Sequence, residues 1–159
     1  MSEILKLRGA PALSSSRLAR LTDSVKAVLP RLKGLAAEHW YFAEVSAPLT
    51  ADELSRLIDL LGVHPEGDAP AGSLLMVTPR LGTISPWSSK ATDIAHQCGF
   101  DKIVRVERGI AFSFDLRGGL DARDRDAVLP AIHDRMTESV LENADAAHAL
   151  FHHYVPQPL

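Results

Sequence analysis

The chain has 159 residues, 46% hydrophobic and 23% charged, a globular balance large enough for one domain with a real core, which excludes disorder, collagen and a disulfide scaffold. Seventeen Lys and Arg against twenty Asp and Glu give a net charge of -3, so no global positive field exists to hold nucleic acid or an anionic membrane. Cys98 stands alone and cannot form an internal disulfide, and neither a signal-peptide core nor a membrane-length apolar run is found, so a cytoplasmic location is expected.

Ile4 to Leu7 predicts a short first strand, cut off by Gly9 and Pro11. Ser14, Ser15 and Ser16 offer N-cap oxygens to a helix whose apolar stripe is Leu18, Leu21, Val25 and Val28, and Pro30 with Gly34 ends it. Glu38 to Val45 reads as a second strand, partly buried on both faces through Trp40, Tyr41, Phe42 and Val45 and ended by Pro48. Thr50 and Glu53 form a capping box, and Leu49 is placed to staple onto Leu54. Leu54, Leu57, Ile58 and Leu61 supply that helix's buried face, and Gly62 sits where a left-handed C-cap is needed. Val63 to Ser73 lacks periodicity and reads as a surface connection.

Leu74 to Thr78 predicts a third strand, punctuated by Pro79. A loop through Gly82, Pro86 and Trp87 leads to Ser88 and Ser89, expected to cap a helix carrying Ala91, Ile94, Ala95 and Cys98 and closed by Gly99. From Ile103 to Leu116, Ile110, Phe112, Phe114 and Leu116 alternate with Ala111, Ser113 and Asp115, the period of a strand with one core face. Leu120 to Arg123 echoes Leu49 to Asp52, and Leu129, Ile132, Met136 and Val140 fall on one side of the helix expected next.

Each half thus reads strand, helix, long strand, helix, with corresponding turns 71 residues apart (120 minus 49). The expected architecture is α+β: duplicated ferredoxin-like units, about 1–62 and 73–141, whose antiparallel sheet is covered by helices, each half by its own two. Ala144 to Tyr154 predicts a tail helix that completes a domain over 1–154, and Pro156 and Pro158 mark 155–159 as the start of a linker.

Candidate chemistry is concentrated in the second half. Arg80, Thr83, Ser85, Ser88, Ser89 and Lys90 precede a helix start, where free amides and the dipole can receive an anion, or where the serines merely cap. Trp87 is either packed locally or an exposed docking anchor. Arg105, Glu107 and Arg108, and His133, Asp134, Arg135, Thr137 and Glu138 on a helix, are close enough for internal ion pairs. His148 and His152 share a helix face but lack the Glu of HExxH, so no metal site is expected. Cys98, beside Ala95, reads as an inert buried thiol. No Ser, His and Asp elbow and no Walker loop is found, and no catalytic residue is assigned to this chain.

The run VTPRLGTISPWSSKATDIAHQCG at Val77 to Gly99, RVERG at Arg105 to Gly109 and HDRMTE at His133 to Glu138, preceded by LRG at Leu7 to Gly9 and ALS at Ala12 to Ser14, closely resembles the N-terminal region of the phosphoribosylformylglycinamidine synthase family. The resemblance implies a PurS-like domain of a large single-chain ligase of purine biosynthesis. That enzyme converts formylglycinamide ribonucleotide, glutamine and ATP to formylglycinamidine ribonucleotide. It also implies partners on the same full-length chain: a linker, a synthetase domain using ATP and Mg, and a glutamine amidotransferase domain with its own Cys, His and Glu triad. No cofactor is expected in the present residues, and by themselves they are expected to be inactive. The positions carried over are Pro79, Arg80, Ser85, Pro86, Ser88, Arg105, Glu107, Asp134, Arg135, Thr137 and Glu138, expected to line an interdomain or substrate-closing surface. The competing expectation is a free-standing ferredoxin-like module that binds a small molecule or dimerises through sheet edges. An acylphosphatase-like hydrolase is a third, without a matching anion loop.

Overall fold

A computed structural model of the chain describes residues 3–63, 70, 72–80, 84–134 and 136–141. In order these form β1 (Glu3–Pro11), α1 (Ser15–Val28), β2 (Gly34–Val45), α2 (Ala51–Leu61), β3 (Ser73–Pro79), α3 (Pro86–Gln97), β4 (Ile103–Asp115), α4 (Ala122–Ile132) and β5 (Glu138–Leu141). The tail over Ala144 to Tyr154, the linker at 155–159, and Thr83, Arg135, His148 and His152 lie outside the described residues. None of the described helices is long and apolar enough to cross a membrane.

The repeat is written in the helix caps. Ser14 accepts from the Arg17 amide at the start of α1, and Ser85 from the Ser88 amide at the start of α3. Thr50 and Asp121 each build a complete capping box, with Glu53 and Asp124 reaching back to the cap. Each pair of caps is 71 positions apart (85 minus 14, 121 minus 50). The five strands form one antiparallel sheet in the order β1-β2-β4-β3-β5, so each half contributes a hairpin-like pair and β2 lies against β4 at the join. His39 pairs with Ile110 in that central ladder, again 71 apart (110 minus 39), and the local two-fold axis relating the halves passes through this pair.

All four helices lie on one face of the sheet, but they pair across the repeat instead of within it. Val25 and Leu29 at the end of α1 join Val128 and Ile132 of α4 over Ala37, Val77, Phe112 and Phe114. Leu57 of α2 joins Ala95 of α3 over Ala43, Val45, Ile103 and Val106. α1 still lies on β2 and α3 on β4, each on its own half, and what the expectation left out is the helix pairing across the two halves. The two-fold brings α1 beside α4 and α2 beside α3, a relation that helical periodicity does not encode.

Other expectations change in detail. β1 runs through Gly9 to Pro11, because it is an edge strand with a register shift after Arg8, where a missing N–H costs no ladder bond. The α1 stripe ends on Leu29, which caps the helix and turns inward, while Val28 is 49% exposed. α3 starts at Pro86 with Ser85 as its cap, so Ser88 and Ser89 are not capping residues. Cys98 is exposed, since it is itself the C-cap and no longer follows the inward face defined by Trp87, Ala91 and Ala95. Both faces of β4 are buried, with Ala111 and Ser113 as well as Phe112 and Phe114. The described residues of the HDRMTE segment, 133–134 and 136–138, are not helical. Its His133 is already extended, the Asp134 carbonyl accepts from the Thr137 and Glu138 amides in a tight turn, and β5 follows; Met136, expected inside, is 77% exposed.

Candidate functional site

The β3–β4 ladder stops at Val77 against Ile110, which leaves the backbone of β4 before Ile110 without β3 beside it. An unpaired buried strand edge is unfavourable, because each amide and carbonyl must find a partner. α3 supplies the partners from one helical face. Ser88, Thr92 and His96 are four apart: the Ser88 hydroxyl donates to the Val106 carbonyl, Thr92 Oγ1 accepts from the Val106 amide at 3.0 Å, and His96 Nε2 donates to the Ile103 carbonyl at 2.6 Å. Ser88 is therefore a buried edge-satisfying group.

Next along this edge lies Glu107, 0% exposed yet ionisable. Its Oε1 accepts from the Ser85 hydroxyl at 2.9 Å and the Arg108 amide at 3.1 Å, and its Oε2 accepts from Arg105 Nη2 at 2.9 Å. Arg105 Nε donates in turn to Ser88 Oγ at 3.2 Å. A buried carboxylate is tolerable only when charge and lone pairs are both met, as here. The anion that the helix start was expected to receive is thus the chain's own Glu107, held by the cap residue of α3.

This network forms a wall of a cleft of about 320 Å³ at the repeat axis, lined from separate segments by Pro79, Ser85, Glu107, Thr137 and Glu138 together with His39 and Ile110. Gly109 sits where β3 departs; a Cβ there would lie 2.8 Å from the Val77 carbonyl, so only glycine permits the approach. On the far side the turn before β5 is closed by Arg80, whose amide donates to the Thr137 carbonyl at 3.0 Å. Asp134 holds the same turn, accepting from the Met136 amide and donating its own amide to Glu138 Oε1, both at 2.8 Å. Pro86 occupies the first turn of α3, where its missing amide is harmless.

Of the eleven carried-over positions, the structure brings Pro79, Ser85, Glu107, Thr137 and Glu138 to the cleft itself. Arg105, Ser88 and Pro86 stand behind it, Arg80 and Asp134 hold its turn, and Arg135 is outside the described residues. Trp87 is half-buried: the Arg108 guanidinium lies 4.6 Å over its ring, and Tyr41 packs on it with centroids 5.9 Å apart.

Sequence reasoning missed His39. It lines the cleft beside Tyr41, its Nδ1 is buried without a hydrogen-bond partner, and burial, followed by the charge of Arg108, pushes its pKa below the ordinary 6.5 against a hydrogen bond to the Gly109 backbone. The sign that could have found it was a histidine inside an otherwise apolar strand run. Among the described residues no group of three or more His, Cys, Asp and Glu is placed to hold a metal ion. The one buried carboxylate of the cleft is already spent on internal hydrogen bonds.

The fold and cleft together define a duplicated α+β domain with a polar recess on its internal two-fold. A model of the formylglycinamide ribonucleotide amidotransferase N-terminal family matches residues 38–151, and the chain belongs to that family.

Proposed function

We propose that this domain serves the conversion of formylglycinamide ribonucleotide, glutamine and ATP to formylglycinamidine ribonucleotide by docking its cleft face against a synthetase domain. In doing so it helps close the substrate site and the path taken by ammonia. The observation that carries the reading is the convergence of Pro79, Ser85, Glu107, Thr137 and Glu138, from three separated signatures, on one recess. The buried members are tied into the scaffold, which suits a surface that positions a neighbour. ATP and magnesium belong to the synthetase domain in this reading. The start of α3 is a poor phosphate cradle, because Ser85 caps it and Glu107 places a negative charge beside it.

The test uses the full-length enzyme. Arg80→Ala, Thr137→Ala and Glu138→Ala are expected to uncouple glutamate release from product formation while circular dichroism stays unchanged, by about 2–5 kcal/mol for a desolvated charged contact and far less at a solvated rim. Full coupling in all three would reject docking through the cleft. Ser88→Ala is a fold control, because Ser88 is fully buried. The isolated chain should release no glutamate, with or without ATP.

A further inference from the structure

Three arginines stand on the described strands, and they are not treated alike. Arg8 pairs with Glu38 and Arg105 with Glu107. Arg108 lines the cleft and is part-buried, yet among the described residues it pairs with no carboxylate and its guanidinium donates no hydrogen bond. It is held by aromatic contact instead, 4.6 Å over the Trp87 ring, which itself packs on Tyr41. A cation over a ring face engages through its charge, so its N–H donors stay open to another partner. A second unmet group shares the cleft. His39 Nδ1 is buried without a hydrogen-bond partner, near enough to Arg108 for that charge to depress its pKa. A buried polar atom left unmet is unfavourable, and an apolar occupant would keep it so. The other titratable groups around the ring are Tyr41, which packs on it, Glu107, already neutralised by Arg105, and Glu138 on the far side, whose Oε1 accepts from the Asp134 amide.

We propose that the cleft is a socket for one carboxylate side chain of the domain that docks there, with Arg108 as its counter-ion beside His39. This rests on the docking reading above and gives the docked surface its chemistry. A guanidinium fork matches carboxylate and phosphate alike, but Glu138 across the cleft repels a phosphate dianion more strongly than a singly charged carboxylate. One negative charge is what the cleft accepts. The source is a tethered side chain, because a single ion pair that water still reaches contributes too little to hold a free acid against its lost translational freedom. A group carried in by a docked domain does not bear that loss separately.

The experiment titrates His39 by NMR of ring-labelled histidine in the 159-residue chain and in the full-length enzyme, its signal identified by loss in His39→Gln. A carboxylate on Arg108 cancels the charge that depresses His39 and brings a negative one near the ring. The midpoint should therefore be higher in the full-length enzyme than in the isolated chain, reaching 6.5 or above. A lower midpoint would mean a docked surface that buries His39 further without supplying an acid, which overturns the socket and leaves docking in place. An identical midpoint would overturn both. Millimolar glutamate added to the isolated chain should change nothing, and a rise there would overturn the tethered source in favour of a free acid. In the full-length enzyme Arg108→Gln should lower product formed per glutamate released about tenfold and abolish the rise in midpoint, whereas Arg108→Lys should retain most of both. Equal behaviour of the two variants would overturn the role of the charge. Should Arg108→Gln fail to fold, the titration of the unaltered proteins decides.

Discussion

The two halves share caps, strand order and a two-fold, yet they treat their charged strand pairs differently. In the first half Arg8 and Glu38 form a two-point pair across β1 and β2, with Nε to Oε1 at 2.8 Å and Nη2 to Oε2 at 2.7 Å, and water still reaches both side chains. In the second half Glu107 is wholly buried, and Arg105, Ser85 and the Arg108 amide together replace its water. The helices diverge in step: α1 buries apolar groups against α4, whereas α3 turns Ser88, Thr92 and His96 to an open strand edge. Duplication supplies the frame, and α3 keeps an apolar face of Trp87, Ala91 and Ala95 while adding a polar one where the cleft forms.

The sharpest way to break this contrast is to remove one arginine from each half. Arg105→Met strands the Glu107 carboxylate in the interior and is expected to cost about 3–5 kcal/mol. Arg8→Met leaves Glu38 partly solvated and should cost about 1–3 kcal/mol. Urea denaturation of the two variants gives both numbers. The double variant Arg105→Met, Glu107→Met should recover most of the larger loss, because a matched apolar pair needs no counterion. Equal costs in the two halves would show that burial does not separate them.

A second measurement addresses the helix that stands in for a strand. Thr92→Val keeps the shape of the side chain but removes the acceptor for the Val106 amide, and should destabilise the chain by about 1–3 kcal/mol. Hydrogen exchange at Val106 should quicken more than at Phe112, which the β3–β4 ladder protects. Equal acceleration at both amides would mean that α3 does not guard this edge locally.

What the sequence discloses follows the range of the interaction. Thr50, Glu53 and Gly62 are legible because a capping box and a left-handed C-cap are settled within a few residues, and Gly62 indeed has φ of 68°. The duplication is legible because local signals recur at a fixed spacing. The pairing of α1 with α4 is not, since an apolar stripe does not name its partner. Met136 stands four after Ile132 and so mimics helical period, but the extended backbone at His133 and the Asp134 turn break it. Ser88, Thr92 and His96 stand four apart, but that spacing names no strand edge, and their meaning depends on where β3 leaves β4. For the candidate site, Glu107 and its neighbours were carried over from the signatures and five of those positions line one cleft, whereas the place of His39 in that cleft required the sheet register.

The caps sharpen the comparison from its conserved side. Thr50→Ala should cost about 1 kcal/mol, read by denaturation. Glu53 is held at about 2 by the Lys102 ammonium and then the Thr50 amide, below the ordinary 4.5, and the Asp124 amide with lesser contributions lowers Asp121 below 3.8. Both groups are depressed on folding, so the stability they contribute is complete above their ordinary values and is lost as pH falls toward their folded ones. Glu53→Gln should therefore flatten part of the decline between pH 4.5 and 2. An unaltered acid limb would show that this box does not titrate with folding.

The smallest expected effect lies on the axis, where His39 faces Ile110 and the repeat is broken in chemistry alone. Folding lowers the His39 pKa, chiefly through burial and then through Arg108, so the folded state favours the neutral ring. Below pH 6.5 the unfolded chain takes up this proton first, and stability falls with pH until the folded midpoint is passed. A ring-proton titration by NMR should give a midpoint below 6.5, and Arg108→Gln should move it upward by removing the second cause while leaving burial in place. His39→Ile, which makes the two sides of the axis alike, should abolish that slope in stability. A wild-type midpoint at or above 6.5 would mean that water or the Gly109 hydrogen bond outweighs burial, and that the axis is electrostatically as plain in the first half as in the second.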